Sequence, residues 1–105
     1  MAYKVYTTPT FDKEVSKLSR ADQDIIDKLF QQLKDNPYVG DQIRFKFFRE
    51  KRIKEKRMYY LVYDDFCLVL AVAFGGKKDQ QKTIEEIIKY LPEYKEYAKK
   101  LKSNN

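Results

Sequence analysis

Residues Phe66 to Phe74 read FCLVLAVAF, nine apolar positions in unbroken succession between Asp64-Asp65 and Gly75-Gly76. The run is about half the ~18–20 residues a membrane span needs. Turn formers bound it, and neither of its faces offers a polar side chain to water. It predicts a central β-strand with both faces covered. The rest of the chain must therefore supply neighbouring strands and a layer on each side.

Two strands precede it, roughly Ile43 to Ile53 and then Arg57 to Tyr63 (RMYYLVY). The connections Lys54-Glu55-Lys56 and Asp64-Asp65 are short enough to force antiparallel pairing. Tyr3 to Thr7 (YKVYT) reads as a first strand, and Thr8-Pro9-Thr10 breaks it. Thr10 can cap a helix carrying Phe11, Val15 and Leu18. Ser19, with Asp22 three residues on, opens a second helix with the stripe Ile25, Ile26, Leu29, Phe30, Leu33. Asn36-Pro37 ends it, because a residue before proline avoids the α region.

Gly75-Gly76 then opens a loop, Lys77-Lys78-Asp79, into a C-terminal helix with Ile84, Ile87, Ile88 and Leu91 on one side. Pro92 restarts or kinks that helix, and Tyr94, Tyr97, Ala98 and Leu101 continue its stripe. The order is β-α-α-β-β-β-α. This is an α+β fold with an antiparallel-dominated sheet, an N-terminal helical hairpin and a C-terminal helix. One domain is expected over residues 1–101, with a polar, frayed tail at 102–105.

Composition narrows the chemistry. At 105 residues, 43% hydrophobic and with nine Tyr and seven Phe, the chain has ample apolar area to fold. Cys67, its one cysteine, sits in the central run and is expected to be a buried packing residue. There is no histidine, which excludes Ser-His-Asp, Cys-His and two-His ribonuclease mechanisms and most transition-metal sites. Acid–base chemistry falls to Lys, Tyr, Asp or Glu. The start, MAYKVYTT, lacks the zones of a signal peptide, so a cytoplasmic address is expected. No metal, small-molecule cofactor or membrane partner is expected.

The charge is concentrated. Gln42 to Arg57 (QIRFKFFREKRIKEKR) holds eight basic and two acidic side chains, so its excess of six equals the net charge of the whole chain, +6. From Arg49 onward both faces of a strand here carry cations, and the turn returns Lys54, Lys56 and Arg57 beside Arg52 and Lys51. A charged edge strand guarding against aggregation accounts for scattered lysines. A segment holding the entire net charge points instead to phosphate recognition. Lys77-Lys78, at a strand end before a helix, can join it. Tyr59 and Tyr60 face opposite ways, so at most one looks into a basic groove.

REKRIKEKRMYYLVYDD, followed by the central strand and GGKKDQQKTIEEI, resembles the RelE/ParE toxin superfamily, its RelE/HigB-like branch and archaeal-type members in particular. The resemblance implies the toxin of a type II toxin–antitoxin system, a ribosome-dependent mRNA endoribonuclease. In that chemistry the ribose 2′-OH attacks the adjacent phosphate without a metal. It implies a cognate antitoxin protein and mRNA on the ribosome as partners. By position, the family's basic residues fall on Lys51, Arg52 or Lys54, and the arginine of the next strand on Tyr60, with Arg57 as its substitute. The arginine after the last strand falls on Lys77 or Lys78, and the family tyrosine beyond it has no counterpart at Thr83 or Ile84.

The resulting assignments are Arg52, Lys54, Arg57, Lys78 and Tyr60 as catalytic, and Arg49, Lys51, Lys56 and Lys77 as RNA- or phosphate-binding. The alternatives are a non-catalytic RNA-binding or regulatory protein on the same fold, and a ParE-like gyrase inhibitor. A double-stranded-RNA-binding domain matches less well, because the leading strand and helical hairpin lie outside its order.

Overall fold

A computed structural model describes residues 2–104; Met1, and Asn105 of the expected tail, lie outside them. In chain order the elements are β1 (Lys4–Thr7), α1 (Pro9–Ser16), α2 (Arg20–Asp35), β2 (Asp41–Ile43), β3 (Phe45–Ile53), β4 (Lys56–Tyr63), β5 (Leu68–Gly76), α3 (Gln80–Lys89) and α4 (Leu91–Ser103). Short 3-10 turns at Asp64–Phe66 and Lys77–Asp79 flank β5. The sheet order is β1-β5-β4-β3-β2, with β1 parallel to β5 and the other pairs antiparallel. The architecture is α+β with a mixed five-stranded sheet. The apolar run does build a strand with neighbours on both edges.

Each sheet face has its own core. On one side Phe11, Ile26, Leu29 and Leu33 of the helical hairpin pack on Met58, Tyr60, Val62, Val69 and Phe74. On the other, Ile84, Ile87 and Ala98 pack on Phe48, Tyr59, Leu61, Leu70 and Val72. Alternation along β4 produces this division. In β5 the alternation is interrupted. Tyr59 pairs with Ala73 and Tyr60 with Ala71, leaving Val72 as an extra residue. Val72 and Ala73 therefore both face α3 and α4, Phe74 turns toward the hairpin to meet Phe11, and Gly75 falls opposite Arg57. Such bulges re-aim side chains at strand ends.

Several expectations are corrected. The first helix is capped by Thr8, whose Oγ1 accepts the Phe11 N–H at 3.2 Å, and not by Thr10. Pro9 takes the first helical position, where a missing N–H is harmless. The second helix begins as expected, with Ser19 Oγ accepting the Asp22 N–H. The expected strand Ile43–Ile53 is broken at Arg44, which has φ 58°, giving β2 and β3. Gly75-Gly76 are strand and not loop, because Arg57 and Lys56 pair with them. Phe66 and Cys67 are spent on the turn into β5, so Cys67 is half-buried at φ 49° and not in the core. The C-terminal helix divides at Tyr90, ahead of Pro92, and α4 stays helical through Ser103, past the expected fraying point. Nearly all of the helical stripes are used by the two cores; among the described residues of the helices and the turn between α3 and α4, Ile25 and Tyr90 are the large apolar side chains left exposed. Among the described residues no helix is long and apolar enough to cross a membrane.

Candidate functional site

The β3–β4 turn has two residues, Lys54-Glu55, and that length fixes the register. Arg52 stands opposite Arg57, Glu50 opposite Tyr59, Lys51 opposite Met58 and Ile53 opposite Lys56. Paired residues of an antiparallel ladder share a face. The cations of the basic segment are thereby sorted. Arg52 and Arg57 lie on the α3 side, in one row with Gly75, while Lys51 and Lys56 lie on the hairpin side.

The α3-side row encloses a polar cluster. Arg57 Nε stands 3.5 Å from Glu50 Oε1, with the two side chains only 14% and 13% exposed. Gln80, the first residue of α3, donates from Nε2 to both Glu50 oxygens at 3.1 and 3.3 Å. Tyr59 is fully buried beside them; burial pushes its hydroxyl pKa up, Glu50 adds to the rise and Arg57 opposes it. Arg57 Nη1 and Tyr59 Oη are sealed from solvent and have no hydrogen-bond partner. At Gly75 an added Cβ would meet nothing within 4 Å, so the row has open space opposite Arg57. Arg52 is exposed at the rim, its Nε donating to Lys54 O at 3.3 Å. Lys77 and Lys78 follow the row directly, exposed on the turn that leads into α3.

The other sequence-derived candidates are placed elsewhere. Lys54 Nζ contacts Asp22 Oδ1 at 2.6 Å, tying the hairpin tip to the start of α2 and holding the Asp22 carboxyl below its usual range. Lys56 lies over the Phe74 ring at 5.8 Å. Lys51 is half-buried on the hairpin side. Arg49 donates to Gly40 O, Tyr38 O and Lys46 O, and stacks over Tyr38 at 5.3 Å. Tyr60 is fully buried on the hairpin side, where its hydroxyl accepts the Gly40 N–H at 3.0 Å. Arg49 and Tyr60 thus seat the loop before β2. Of the nine assigned residues, the α3-side end of the sheet brings together Arg52, Arg57, Lys77 and Lys78, and it adds Glu50, Tyr59 and Gln80, which the sequence assignments omit.

At the opposite end of the sheet Asp64 accepts the hydroxyls of Tyr3 and Tyr38, both at 2.7 Å. Those two donors lower the Asp64 carboxyl, and the same bond pushes Tyr3 up to about 12. A cavity of about 610 Å³ opens beside them, floored by Phe47, Val62, Tyr63, Phe66 and Leu91.

The α+β fold of this chain is shared with solved bacterial and archaeal proteins. The free Escherichia coli toxin RelE, in a mutant form, superposes with a TM-score of 0.69 at 17% identity, over 83% of this chain and 99% of that one. A chain of the archaeal RelE–RelB complex of Pyrococcus horikoshii gives 0.63 at 17% identity, over 73% and 97%. The toxin–antitoxin complex RelBE2 of Mycobacterium tuberculosis gives 0.62 at 22% identity, over 73% and 100%. No protein-family model matches the sequence, and no curated protein matches it either. The chain has the fold of the RelE toxins.

Proposed function

We propose that this protein is the toxin of a type II toxin–antitoxin pair, and that it cleaves mRNA on the ribosome from the α3-side end of its sheet. The observation that carries this reading is the row Arg52–Arg57–Gly75, with Lys77 and Lys78 at its rim, on the RelE fold. Arg52, Arg57 and the two lysines gather an RNA phosphate, and the space at Gly75 lets the backbone of the strand lie close to it. The ribose 2′-oxygen attacks the adjacent phosphorus, the bond to the 5′-oxygen breaks, and a 2′,3′-cyclic phosphate and a 5′-hydroxyl result. With no histidine in the chain, Glu50, which lies in the row beside Arg57, takes the 2′-OH proton in this reading, and Lys78 protonates the leaving oxygen. The arginines stabilise the charge that builds on the phosphorane oxygens. A cognate antitoxin covers this end in the resting pair.

The test is induced expression without an antitoxin, against a double variant Arg52→Ala/Lys78→Ala. Growth arrest with broken mRNA in the wild type, and relief of both in the variant, is expected. Untouched growth and mRNA sink the proposal, and arrest with intact mRNA and inhibited gyrase replaces it with the ParE-like reading. A second reading, RNA binding without cleavage, is favoured by one observation: the Glu50 carboxylate is already occupied by Arg57 and Gln80. Binding with a steep salt slope and no cleavage on ribosomes supports that one.

A further inference from the structure

Two donors beside Glu50 have nothing to donate to. Arg57 places Nε on the carboxylate, yet its Nη1 is sealed from solvent without an acceptor. Tyr59, 1% exposed, carries its hydroxyl in the same condition. The two residues lie two positions apart on one face of β4, and Glu50 is the ion-pair partner of the first and the cross-strand partner of the second. Nearly all buried polar atoms in folded proteins are paired, because an orphaned donor forfeits its hydration and gains nothing. Phenylalanine would fill the Tyr59 position without that penalty. Two converging orphans on one strand face, beside open space at Gly75, point to an acceptor that arrives from outside.

We propose that Arg57 Nη1 and Tyr59 Oη are the donors of a concealed oxyanion receptor that takes a non-bridging oxygen of a phosphodiester, and that Gln80 is its latch. The identity of the anion as RNA rests on the function proposed above; the receptor does not. Glu50 orients the guanidinium and cancels its charge, so the receptor alone holds an anion weakly. Arg52, Lys77 and Lys78 at the rim supply the net attraction, which makes a polyanion a better ligand than a single phosphate. Gln80 holds the start of α3, and with it the lysine-bearing turn, against Glu50. Releasing that contact exposes the donors and frees the lysines together.

The experiment titrates the whole protein with inorganic phosphate, and in a second arm with an uncleavable 2′-deoxy-substituted RNA. It follows the side-chain Nε–Hε resonance of Arg57 and the thermal midpoint of the same samples. Saturable shifts are expected in the wild type, larger for the RNA. Tyr59→Phe is expected to weaken phosphate binding about tenfold, equivalent to about 1.4 kcal/mol, with a midpoint equal to or above that of the wild type. Gln80→Ala is expected to tighten it. An absent shift in the wild type, or a Tyr59→Phe protein that binds as the wild type does, overturns the receptor whatever its midpoint. If the receptor behaves as described while ribosomal mRNA stays whole, the nuclease reading falls and the receptor stands. If Tyr59→Phe cleaves and binds like the wild type, the receptor falls and the nuclease reading stands.

Discussion

Gly40→Ala is expected to damage the platform on which the proposed site rests. A Cβ at Gly40 would stand 2.5 Å from the Glu50 backbone oxygen, 3.1 Å from its carbonyl carbon and 2.8 Å from Tyr60 Oη. The Glu50 backbone is held between β2 at Asp41 and β4 at Tyr59, so it cannot withdraw as the tip of a flexible side chain could. Ordinary carbon contacts lie at about 3.5–4.0 Å, and forcing a methyl into a packed site costs about 1–3 kcal/mol. If the loop retreats instead, it loses the Gly40 N–H bond to Tyr60 Oη at 3.0 Å and the Arg49 bonds to Gly40 O at 3.1 and 2.9 Å. A neutral bond is worth about 1 kcal/mol and one to a charged group about 1.5–3. The first route costs about 1–3 kcal/mol and the second about 2.5–4 kcal/mol, so the fold loses about 1–4 kcal/mol, a fall in Tm of roughly 5–30 °C for a domain of this size. Gly75→Ala is the control. Its Cβ meets nothing within 4 Å and its φ is not positive, so its stability should stay within about 0.5 kcal/mol of the wild type. Thermal and urea unfolding followed by circular dichroism read both. A Gly40→Ala protein as stable as the wild type, or a Gly75→Ala protein equally damaged, refutes the seating of this loop on β3.

Arg49→Lys should lower the urea midpoint without changing the slope, by about 1.5–3 kcal/mol, since one ammonium cannot reproduce a guanidinium shared among Gly40 O, Tyr38 O and Lys46 O. Asp64→Asn should flatten the acid limb of stability. The Asp64 carboxyl is lowered in the fold by Tyr3 and Tyr38, so the stability it lends is present above the ordinary range near ~3.9 and is lost as pH falls through its depressed value. Urea midpoints measured between neutral pH and about pH 3 check this, and an Asp64→Asn profile parallel to the wild type contradicts it.

The central strand, the hairpin on its flank and the second helix with its Ser19 cap were legible because each is written in local signals: an apolar run, short turns, a capping residue three positions from its acceptor. The candidate site was legible as a basic segment but not as a list of side chains. Counting Lys56 into the turn shifts the pairing by one residue, and a one-residue shift exchanges the faces. With the two-residue turn, Glu50 falls on the same face as Arg52, Arg57 and Tyr59. In the sequence it reads as a counterion inside a cationic run. Gln80 meets it only through the packing of α3, and the extra residue Val72, which sets Gly75 rather than Phe74 opposite Arg57, depends on how β5 pairs across the sheet. Arg49 and Tyr60 seat the loop before β2, and charge and aromaticity alone do not tell a loop anchor from a ligand.

Mapping mRNA 5′ ends by primer extension on purified ribosomes decides whether the Arg52–Arg57 row cuts RNA. Wild-type protein and the variants Arg57→Ala and Lys54→Ala are compared on the same message. A phosphate clamp at that row predicts cuts within the codon at the decoding site for the wild type, their loss in Arg57→Ala, and their retention in Lys54→Ala, whose lysine is held by Asp22 away from the row. An uncut message with wild-type protein, or cuts that survive Arg57→Ala and vanish in Lys54→Ala, contradicts it.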